Sequence, residues 1–301
     1  MRDVVLLGVD GGGTRCRARL AEVTGGILGV GIAGPANLRL GLEQSLLAVH
    51  ESAAQSLAQA GLRWGDRRIV ACLALAGASE PANLAEARAH PHPFHRAIFT
   101  TDAQAACVGA HAGGDGGIVI VGTGSIGWAM LGEEEFRVGG WGFPISDEGS
   151  GAWIGCEAVR RVLWAHDGTI GWTGFLATVF ESFESDAHNI VRWMGTAHPH
   201  DFAALAPVAV QHAECGDREA QVLMRRAAER IDAIAARLID LEVPRLSLMG
   251  GLADELKPYL SAQTKGALVQ PAGDALSGAL HLARAEVGRL ASASSIATNH
   301  G

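Results

Sequence analysis

The first segment that could do chemistry is residues 10–14, an aspartate, three glycines and a threonine directly after the apolar run 4–9. A short run rich in valine and leucine that ends in glycines predicts a buried strand entering a tight turn. The N–H groups of such a turn form a concave site suited to phosphate, and glycines let the backbone approach the ligand. Asp10 could hold Mg²⁺ or one of its waters, and Thr14 could donate its hydroxyl to phosphate. Taken alone, the segment is equally well explained as a plain glycine turn.

A second segment of the same kind strengthens the phosphate interpretation. The apolar run 117–121 opens into residues 122–125, Gly-Thr-Gly-Ser, and a further predicted strand follows at 126–131. Two such units indicate two related halves that each offer a phosphate loop, as in the actin-like sugar kinase and ATPase superfamily. Neither segment is a Walker A loop or a dinucleotide fingerprint, because Gly-Lys-Ser/Thr and a helix-opening Gly-x-Gly-x-x-Gly are missing.

Asp102 stands where the predicted strand 97–99 gives way to a helix of small residues, 103–110. Aspartate is a frequent N-cap, so capping alone could explain its position. A general base is the alternative, because the small residues that follow leave space for a ligand beside the carboxylate. Both interpretations stay open on the sequence.

The most unusual loop, residues 139–151, combines several glycines with Trp141, Phe143, Asp147 and Glu148. Acids in the first turn of the helix that follows are consistent with capping, but capping does not explain the glycines and aromatic residues. Carboxylates can accept hydrogen bonds from sugar hydroxyls, and an aromatic ring can cover the apolar face of a sugar. The loop therefore predicts a sugar site.

The composition is that of a folded protein with a substantial core, since 48% of the 301 residues are hydrophobic and 19% are charged. A net charge of −8 argues against a nucleic-acid partner. No apolar run approaches the ~20 residues of a membrane helix, and no signal-like segment precedes the first strand. The five cysteines are scattered singly, which predicts reduced thiols in a cytoplasmic protein. The histidines lack the spacing of a zinc site.

Strands and helices alternate along the chain in the manner of an α/β protein. The pattern predicts strands near 4–9, 15–23, 27–33, 69–75, 97–99, 117–121, 126–131, 135–139 and 246–249. It predicts longer helices near 41–60, 103–110, 149–166, 172–184, 202–214, 217–242 and 274–290. The suspected loops all follow strand ends, where α/β folds bind ligands, and this favours one cleft.

The glycine run 113–117 is the best predicted domain boundary. It separates an N-terminal domain, residues 1–112, from a C-terminal domain, residues 113–273. The helix 274–290 is expected to complete the N-terminal domain. The small and polar tail 291–301 is predicted to be disordered.

These motifs resemble those of the BadF-type ATPase and N-acetylglucosamine kinase family, and most closely the bacterial glucosamine kinases, over about residues 4–285. The segments that carry the resemblance are residues 8–14, 73–78, 101–103, 122–125, 143–147, 215–217 and 248–250. The first is shared across the actin-like superfamily, whereas Phe-Pro-Ile-Ser-Asp at 143–147 is much more specific. The resemblance implies two actin-like (ribonuclease H-like) domains with an ATP- and sugar-binding cleft between them.

The resemblance also implies an activity, namely ATP-dependent phosphorylation of glucosamine to glucosamine 6-phosphate with Mg²⁺. It assigns the general base to Asp102 and a place near the metal to Asp10. The residues implied in sugar binding are Asn37, Asp102, Gly140, Trp141, Gly142 and Asp147. Those implied in ATP binding are Gly12, Gly13, Thr14, Thr123, Gly124, Ala213, Gly250 and Gly251.

One departure from the family bears on the substrate. Animal N-acetylglucosamine kinases carry an acetyl-binding Asn directly after Gly-Thr-Gly-Ser, where this chain has Ile126. The amino sugar expected is therefore glucosamine, with N-acetylglucosamine kinase or a BadF-type ATPase of other purpose as alternatives. Trp153, Trp164 and Trp172 in the helical second half are expected to be exposed and favour a two-fold homodimer.

Overall fold

The computed structural model describes residues 3–298, and side chains as far as residue 292. Its strands are short and rich in β-branched and small apolar residues, as the sequence pattern predicts. They are β1 (Val4–Gly11), β2 (Cys16–Glu22), β3 (Ile27–Ala33), β4 (Arg68–Leu75), β5 (Arg96–Thr100), β6 (Gly116–Val121), β7 (Ser125–Leu131), β8 (Glu134–Gly139) and β9 (Leu246–Met249).

The helices begin and end close to the predicted positions where they are long, and several shorter ones join them. They are α1 (Leu42–Gln59), α2 (Pro81–Ala89), α3 (Asp102–Ala110), α4 (Gly151–His166), α5 (Gly174–Glu181), α6 (Ala187–Met194), α7 (Pro199–Ala203), α8 (Ala206–Glu214), α9 (Arg218–Asp240), α10 (Ala253–Leu256), α11 (Ala262–Ala267) and α12 (Ala275–Thr298). No helix among the described residues is long and apolar enough to cross a membrane.

The chain divides into two compact units. The first contains the residues up to Asp115 together with those from Pro271 onward, and the second runs from Gly116 to Gln270. Each unit holds one sheet, ordered β3-β2-β1-β4-β5 in the first and β8-β7-β6-β9 in the second. The α/β class predicted from the sequence is confirmed. The predicted domain limits and the predicted cleft stay predictions.

The two sheets share one pattern around their central strands. In the first unit β1 pairs antiparallel with β2 and parallel with β4. In the second unit β6 pairs antiparallel with β7 and parallel with β9. The repeated pattern is the structural form of the two related halves expected from the glycine segments.

The core of the first unit lies on both faces of its sheet. Val5, Leu7 and Val9 belong to a buried cluster with residues of α1, whereas Leu6 belongs to a cluster with residues of α3 and α12. This alternation follows from the two-residue period of a strand. The helix α12 thereby joins the end of the chain to the N-terminal sheet.

Small residues set the distance between α3 and α12. An added Cβ at Gly278 would run into the carbonyl oxygen of Ala105, and one at Gly109 would run into the carbonyl oxygen of Asp274. In each case the obstacle is backbone, which cannot move aside as a flexible side chain can. The two helices therefore cross at their glycines.

In the second unit, α4 is tied to α9 by buried charges. The Glu157 carboxylate accepts from the Arg161 guanidinium at 3.0 Å, and Arg161 also approaches Glu219 of α9 at 3.5 Å. Glu157 and Arg161 are both buried. Because each charge has a partner, the pair avoids the cost of an isolated buried ion.

The structure differs from the sequence predictions in four places. The last helix runs to Thr298, into the tail 291–301 that was predicted to be disordered, because alanine and serine dominate that segment and tolerate a helix. Residues 299–301 lie outside the described residues. The predicted helix 202–214 is two helices, α7 and α8, and α6 lies where no helix was predicted.

Trp153 is half-buried against the core, whereas Trp164 and Trp172 are exposed. The homodimer stays a prediction.

We expect two glycine-to-alanine changes on α12 to have opposite effects. Gly278→Ala should lower the free energy of unfolding by about 1–3 kcal/mol, because overpacking against backbone outweighs the helix propensity gained. Gly288 is exposed, with nothing near the position of an added Cβ. Gly288→Ala should therefore raise that free energy by about 0.5–1 kcal/mol. Urea unfolding followed by circular dichroism measures both, and a stabilised Gly278→Ala protein would contradict the close helix crossing.

Candidate active site

In the first unit, parallel pairing brings three loops to one edge of the sheet. Gly11 at the end of β1 pairs with Leu75 at the end of β4, and Ala74 pairs with Thr100 of β5. The three strands therefore end almost level. Two of the loops that follow carry predicted site residues, namely the glycine turn at 12–14 and the loop that leads to Asp102. The third is the turn at 76–77.

The first glycine turn is held by backbone hydrogen bonds from neighbouring loops. The N–H of Gly12 donates to the carbonyl of Arg15 at 2.9 Å, and the carbonyl of Gly12 accepts from Ala36 at 3.0 Å. Gly13 and Thr14 at the tip are exposed. The turn is thus fixed at its base and open at the tip, as a phosphate-binding turn requires.

Asn37 lies between this turn and the turn after β4. Its Oδ1 accepts from the N–H of Arg39 at 3.0 Å. A Cβ added to Gly77 would lie 2.8 Å from that same oxygen, and Gly77 has a φ of +81°. Gly77 is therefore required both by its backbone conformation and by the close approach of Asn37. The sequence reasoning had not assigned Gly77 to the site, although it lies in the 73–78 motif.

Asp102 is the first residue of α3 and is half-buried. The cap of this helix is Thr101, whose hydroxyl accepts from the N–H of Gln104 at 3.0 Å. The Asp102 Oδ1 accepts from the N–H of Ala103 at 2.9 Å. The N-cap interpretation of Asp102 is therefore wrong, because its neighbour fills that role. A carboxylate in the first turn is stabilised in its charged form by the helix dipole.

Asp10 forms an ion pair with Arg17 on the adjacent strand. Its Oδ2 lies 2.5 Å from Nη2 of Arg17, and Arg17 also approaches Asp274 at 3.9 Å. No group of three potential metal ligands occurs among the described residues. One carboxylate does suit a Mg²⁺ whose remaining ligands are phosphate oxygens and waters. The donor set at Asp10 therefore fits a metal that arrives with a nucleotide.

In the second unit, the second glycine turn is joined to the start of α4. The N–H groups of Gly151 and Ala152 donate to the carbonyls of Gly122 at 2.8 Å and Thr123 at 3.1 Å. A Cβ added to Gly124 would lie 2.6 Å from Oδ2 of Asp147. The predicted phosphate turn and the predicted sugar loop are thus in direct contact within this unit.

Hydrogen bonds within the sugar loop hold it together, and Asp147 accepts one of them. Its Oδ1 accepts from the N–H of Gly142 at 3.2 Å, while the hydroxyl of Ser146 accepts from the N–H of Trp141 at 3.2 Å. Asp147 has a φ of +62°, a conformation uncommon for a residue with a side chain. Such backbone conformations cluster at functional sites, where surrounding contacts hold them.

Arg137, in the second half of β8, packs against the exposed aromatic ring of the loop. Trp141 is 67% exposed, and the guanidinium of Arg137 lies 4.0 Å from the centre of its ring. Arg137 also donates to the carbonyl of Gly139 at 3.0 Å and to that of Gly140. Sequence reasoning missed Arg137, because nothing in its position along the strand indicates that it turns toward the loop.

Gly250 and Gly251 follow β9 at the same edge as the second glycine turn. Gly250 has a φ of +105°, and a Cβ there would run into the carbonyl of Val121 at the end of β6. The same carbonyl accepts from the N–H of Leu252 at 3.1 Å. The turn after β9 therefore packs directly beside the turn after β6, as the predicted ATP contacts at both turns require.

Ala213 has surroundings different from those of the other predicted ATP residues. Its side chain is buried in the core, and its carbonyl accepts from Gly216 at 3.1 Å and from Gln221 at 3.3 Å. Nearby, Asp217 caps α9. Partial desolvation raises its pKa, but hydrogen bonds from Phe175 and from the first turn of α9 outweigh this and leave the pKa below its usual value. The segment 215–217 of the family motif therefore has a structural role. The side chain of Ala213 itself belongs to the core.

Comparison with known proteins agrees with this arrangement. Two α/β units with glycine turns after paired strands are typical of nucleotide-dependent kinases and ATPases. A family model described as the BadF/BadG/BcrA/BcrD ATPase family matches residues 7–283. The chain belongs to that family, and the resemblance drawn from its motifs is confirmed.

Individual relatives cover nearly the whole chain. Glucosamine kinase GspK of Vibrio cholerae is 38% identical over 92% of this chain and 95% of its own length. N-acetylmuramic acid/N-acetylglucosamine kinase of Clostridium acetobutylicum is 24% identical over 93% of this chain and 98% of its own. A solved structure from Chromobacterium violaceum, provisionally named an N-acetylglucosamine kinase, has a TM-score of 0.87 at 35% identity, covering 93% and 98% of the two chains. The predicted fold class is confirmed by that agreement.

We expect Arg137→Ala to loosen the sugar loop. The change removes hydrogen bonds from a charged group, each contributing about 1.5–3 kcal/mol, and uncovers one face of Trp141. Hydrogen exchange at the amides of Trp141 and Gly142 should become at least about tenfold faster. Arg225→Ala, on the exposed face of α9, is the control and should leave that exchange unchanged. Equal exchange in the two variants would mean that the loop does not depend on Arg137.

Proposed function

We propose that the protein is an ATP-dependent kinase that phosphorylates glucosamine at its 6-hydroxyl, giving glucosamine 6-phosphate. The observation that carries the proposal is the 38% identity with a glucosamine kinase along almost the entire chain. The structure supports it with two glycine turns at strand ends and an acid-containing aromatic loop in contact with one of them.

In this proposal the two glycine turns bind phosphate through their backbone N–H groups. Thr14 and Thr123 donate hydroxyl hydrogen bonds to phosphate oxygens, and the turn at 250–251 borders the adenosine. Asp10 holds the Mg²⁺, which supplies charge neutralisation on the phosphates when it is bound. Phosphoryl transfer needs little covalent chemistry from a protein, so positioning and charge do most of the work.

The sugar is bound by the loop at 140–147 and by Asn37. Trp141 offers an exposed ring for the apolar face of the sugar, and Asp147 offers a carboxylate for its hydroxyl groups. Asp102 accepts the proton of the 6-hydroxyl as that oxygen meets the γ-phosphate. The oxygen–phosphorus bond to the sugar forms, the bond to the leaving ADP breaks, and the proton stays on Asp102 until solvent removes it.

We further infer a cytoplasmic location. None of the five cysteines, all of which lie among the described residues, forms a disulfide. Burial raises the pKa of Cys16 to about 11 and that of Cys72 to about 12, so both stay protonated and inert at neutral pH. Cysteines that form no disulfide suit a reducing compartment, where ATP is also available.

Asp102→Asn should lower kcat by about 10²–10⁴-fold, the usual contribution of general-base catalysis. The affinity for ATP should change little, because the amide keeps the shape of the side chain and the glycine turns are untouched. Asp240→Asn, an exposed aspartate at the end of α9, is the matched control and should keep full activity. A coupled ADP-release assay with glucosamine measures both variants, and normal turnover by Asp102→Asn would remove Asp102 from the role of base.

The preferred sugar depends on Ile126. This residue pairs with Gly139 across β7 and β8, and a Cβ added to Gly140 would lie 2.6 Å from its Cγ1. The side chain of Ile126 therefore lies against the sugar loop and can offer no hydrogen bond to a sugar bound there. N-acetylglucosamine, the alternative substrate, is favoured by the names of the Clostridium relative and the Chromobacterium structure.

We expect kcat/KM to be higher for glucosamine than for N-acetylglucosamine or glucose. The amide of the acetylated sugar would be left unpaired beside Ile126, and unpaired polar groups are costly. Ile126→Asn should raise kcat/KM for N-acetylglucosamine relative to glucosamine, whereas Ile126→Val should leave the ratio unchanged. A wild-type preference for the acetylated sugar would show that another residue binds the acetyl group.

A further inference from the structure

The first unit contains a cavity of about 470 Å³ beside β5, the outermost strand of its sheet. Five basic side chains line it, Arg88, His92, His95, Arg96 and Arg289, together with one acidic side chain, Glu286. The cavity is separate from the proposed active site along the strand. Arg96 begins β5, whereas Asp102 follows the opposite end of the strand.

Glu286 fixes two of the arginines at the wall of the cavity. Its side chain is only 7% exposed, with Oε1 2.8 Å from Nε of Arg96 and Oε2 3.2 Å from Nη1 of Arg289. Each carboxylate oxygen therefore holds one guanidinium. Three arginines against one carboxylate leave a formal charge of +2 on the lining residues, with both histidines counted as neutral.

Two of the remaining basic groups, Arg88 and His92, are also held in place. Arg88 reaches the carbonyl of Phe99 at 3.4 Å, a long hydrogen bond that engages one end of its guanidinium. The ring of His92 packs on Phe94 and Phe99, with ring centres 5.6 and 6.3 Å apart. These contacts lower the entropy that the side chains would lose on binding a ligand.

The charge and the shape of the cavity point to one class of ligand. The chain as a whole carries −8, yet the residues that line this cavity carry an excess of positive charge. Guanidinium groups match phosphate oxygens in a two-pronged geometry. Ala97, Ile98 and Phe99 supply an apolar wall for an organic group. Cavities of about 300–1,000 Å³ bind small molecules. We propose that this cavity binds a small phosphate monoester at a site distinct from the active site.

Isothermal titration calorimetry with phenyl phosphate tests the proposal on the full chain. Wild-type protein should bind it saturably, and more weakly as salt is raised. Arg88→Gln should weaken that binding at least tenfold, because it removes one charged donor and leaves both Glu286 ion pairs intact. Arg63→Gln is the matched control and should bind like the wild type, since the side chain of Arg63 is 90% exposed and lies outside the cavity.

Two further probes check the ligand class. Inorganic phosphate lacks the organic group and benzoate lacks the phosphate, so both should bind more weakly than phenyl phosphate. Equal binding of either probe would overturn the phosphate monoester assignment. Unchanged binding in Arg88→Gln would overturn the cavity as the site. Arg289→Gln, at an exposed position, gives the same test if the Arg88 variant folds poorly. Because the readout is binding alone, a failure of the proposed kinase activity would leave this test unaffected.

Discussion

In each unit the paired parallel strands end almost level, and the positions of the glycine turns depend on this constraint. Gly11 pairs with Leu75 in the first unit and Ile120 pairs with Met249 in the second. In each unit, the central strand therefore delivers its glycine turn beside the loop of its parallel neighbour. A shift of one residue in either register would turn the alternating side chains of the strand to the wrong face. The hydrophobic clusters on both faces of the first sheet thus hold the register and, through it, the positions of the loops.

Glycine is the second requirement, because the loops approach one another more closely than side chains would allow. Gly250 lies against the carbonyl of Val121, and Gly124 lies against the carboxylate of Asp147. These approaches join the phosphate turn, the turn after β9 and the sugar loop into one packed group. Asp147 then needs a left-handed backbone, which hydrogen bonds to Gly142 and to Ser150 stabilise. The cost of that conformation is consistent with a binding role.

Sequence reasoning found the elements and the glycine turns because its strongest signals are local. A valine-rich run ending in glycines specifies both a strand and the turn after it, and this was enough for residues 10–14 and 122–125. It could not find Arg137, Arg17 or Gly77, since their roles come from contacts across strands and between loops. It also gave no preference between capping and chemistry at Asp102, because Thr101 and Asp102 can both cap a helix. The hydrogen bond from the N–H of Gln104 to the hydroxyl of Thr101 assigns the cap to Thr101.

The contact between Ile126 and the sugar loop limits how selective this site can be. A site that hydrogen-bonds a substrate group rejects an analogue lacking that group by about 10⁴–10⁵, whereas an apolar contact discriminates by only about 10–200-fold. Ile126 offers an apolar contact beside Gly140, and two side chains of opposite charge, Asp147 and Arg137, hydrogen-bond to the backbone of the loop. The attraction of Asp147 for an ammonium is therefore partly offset by Arg137. For the proposed sugar site, this composition predicts a moderate preference for an amino sugar, with the acetylated sugar as a weaker substrate.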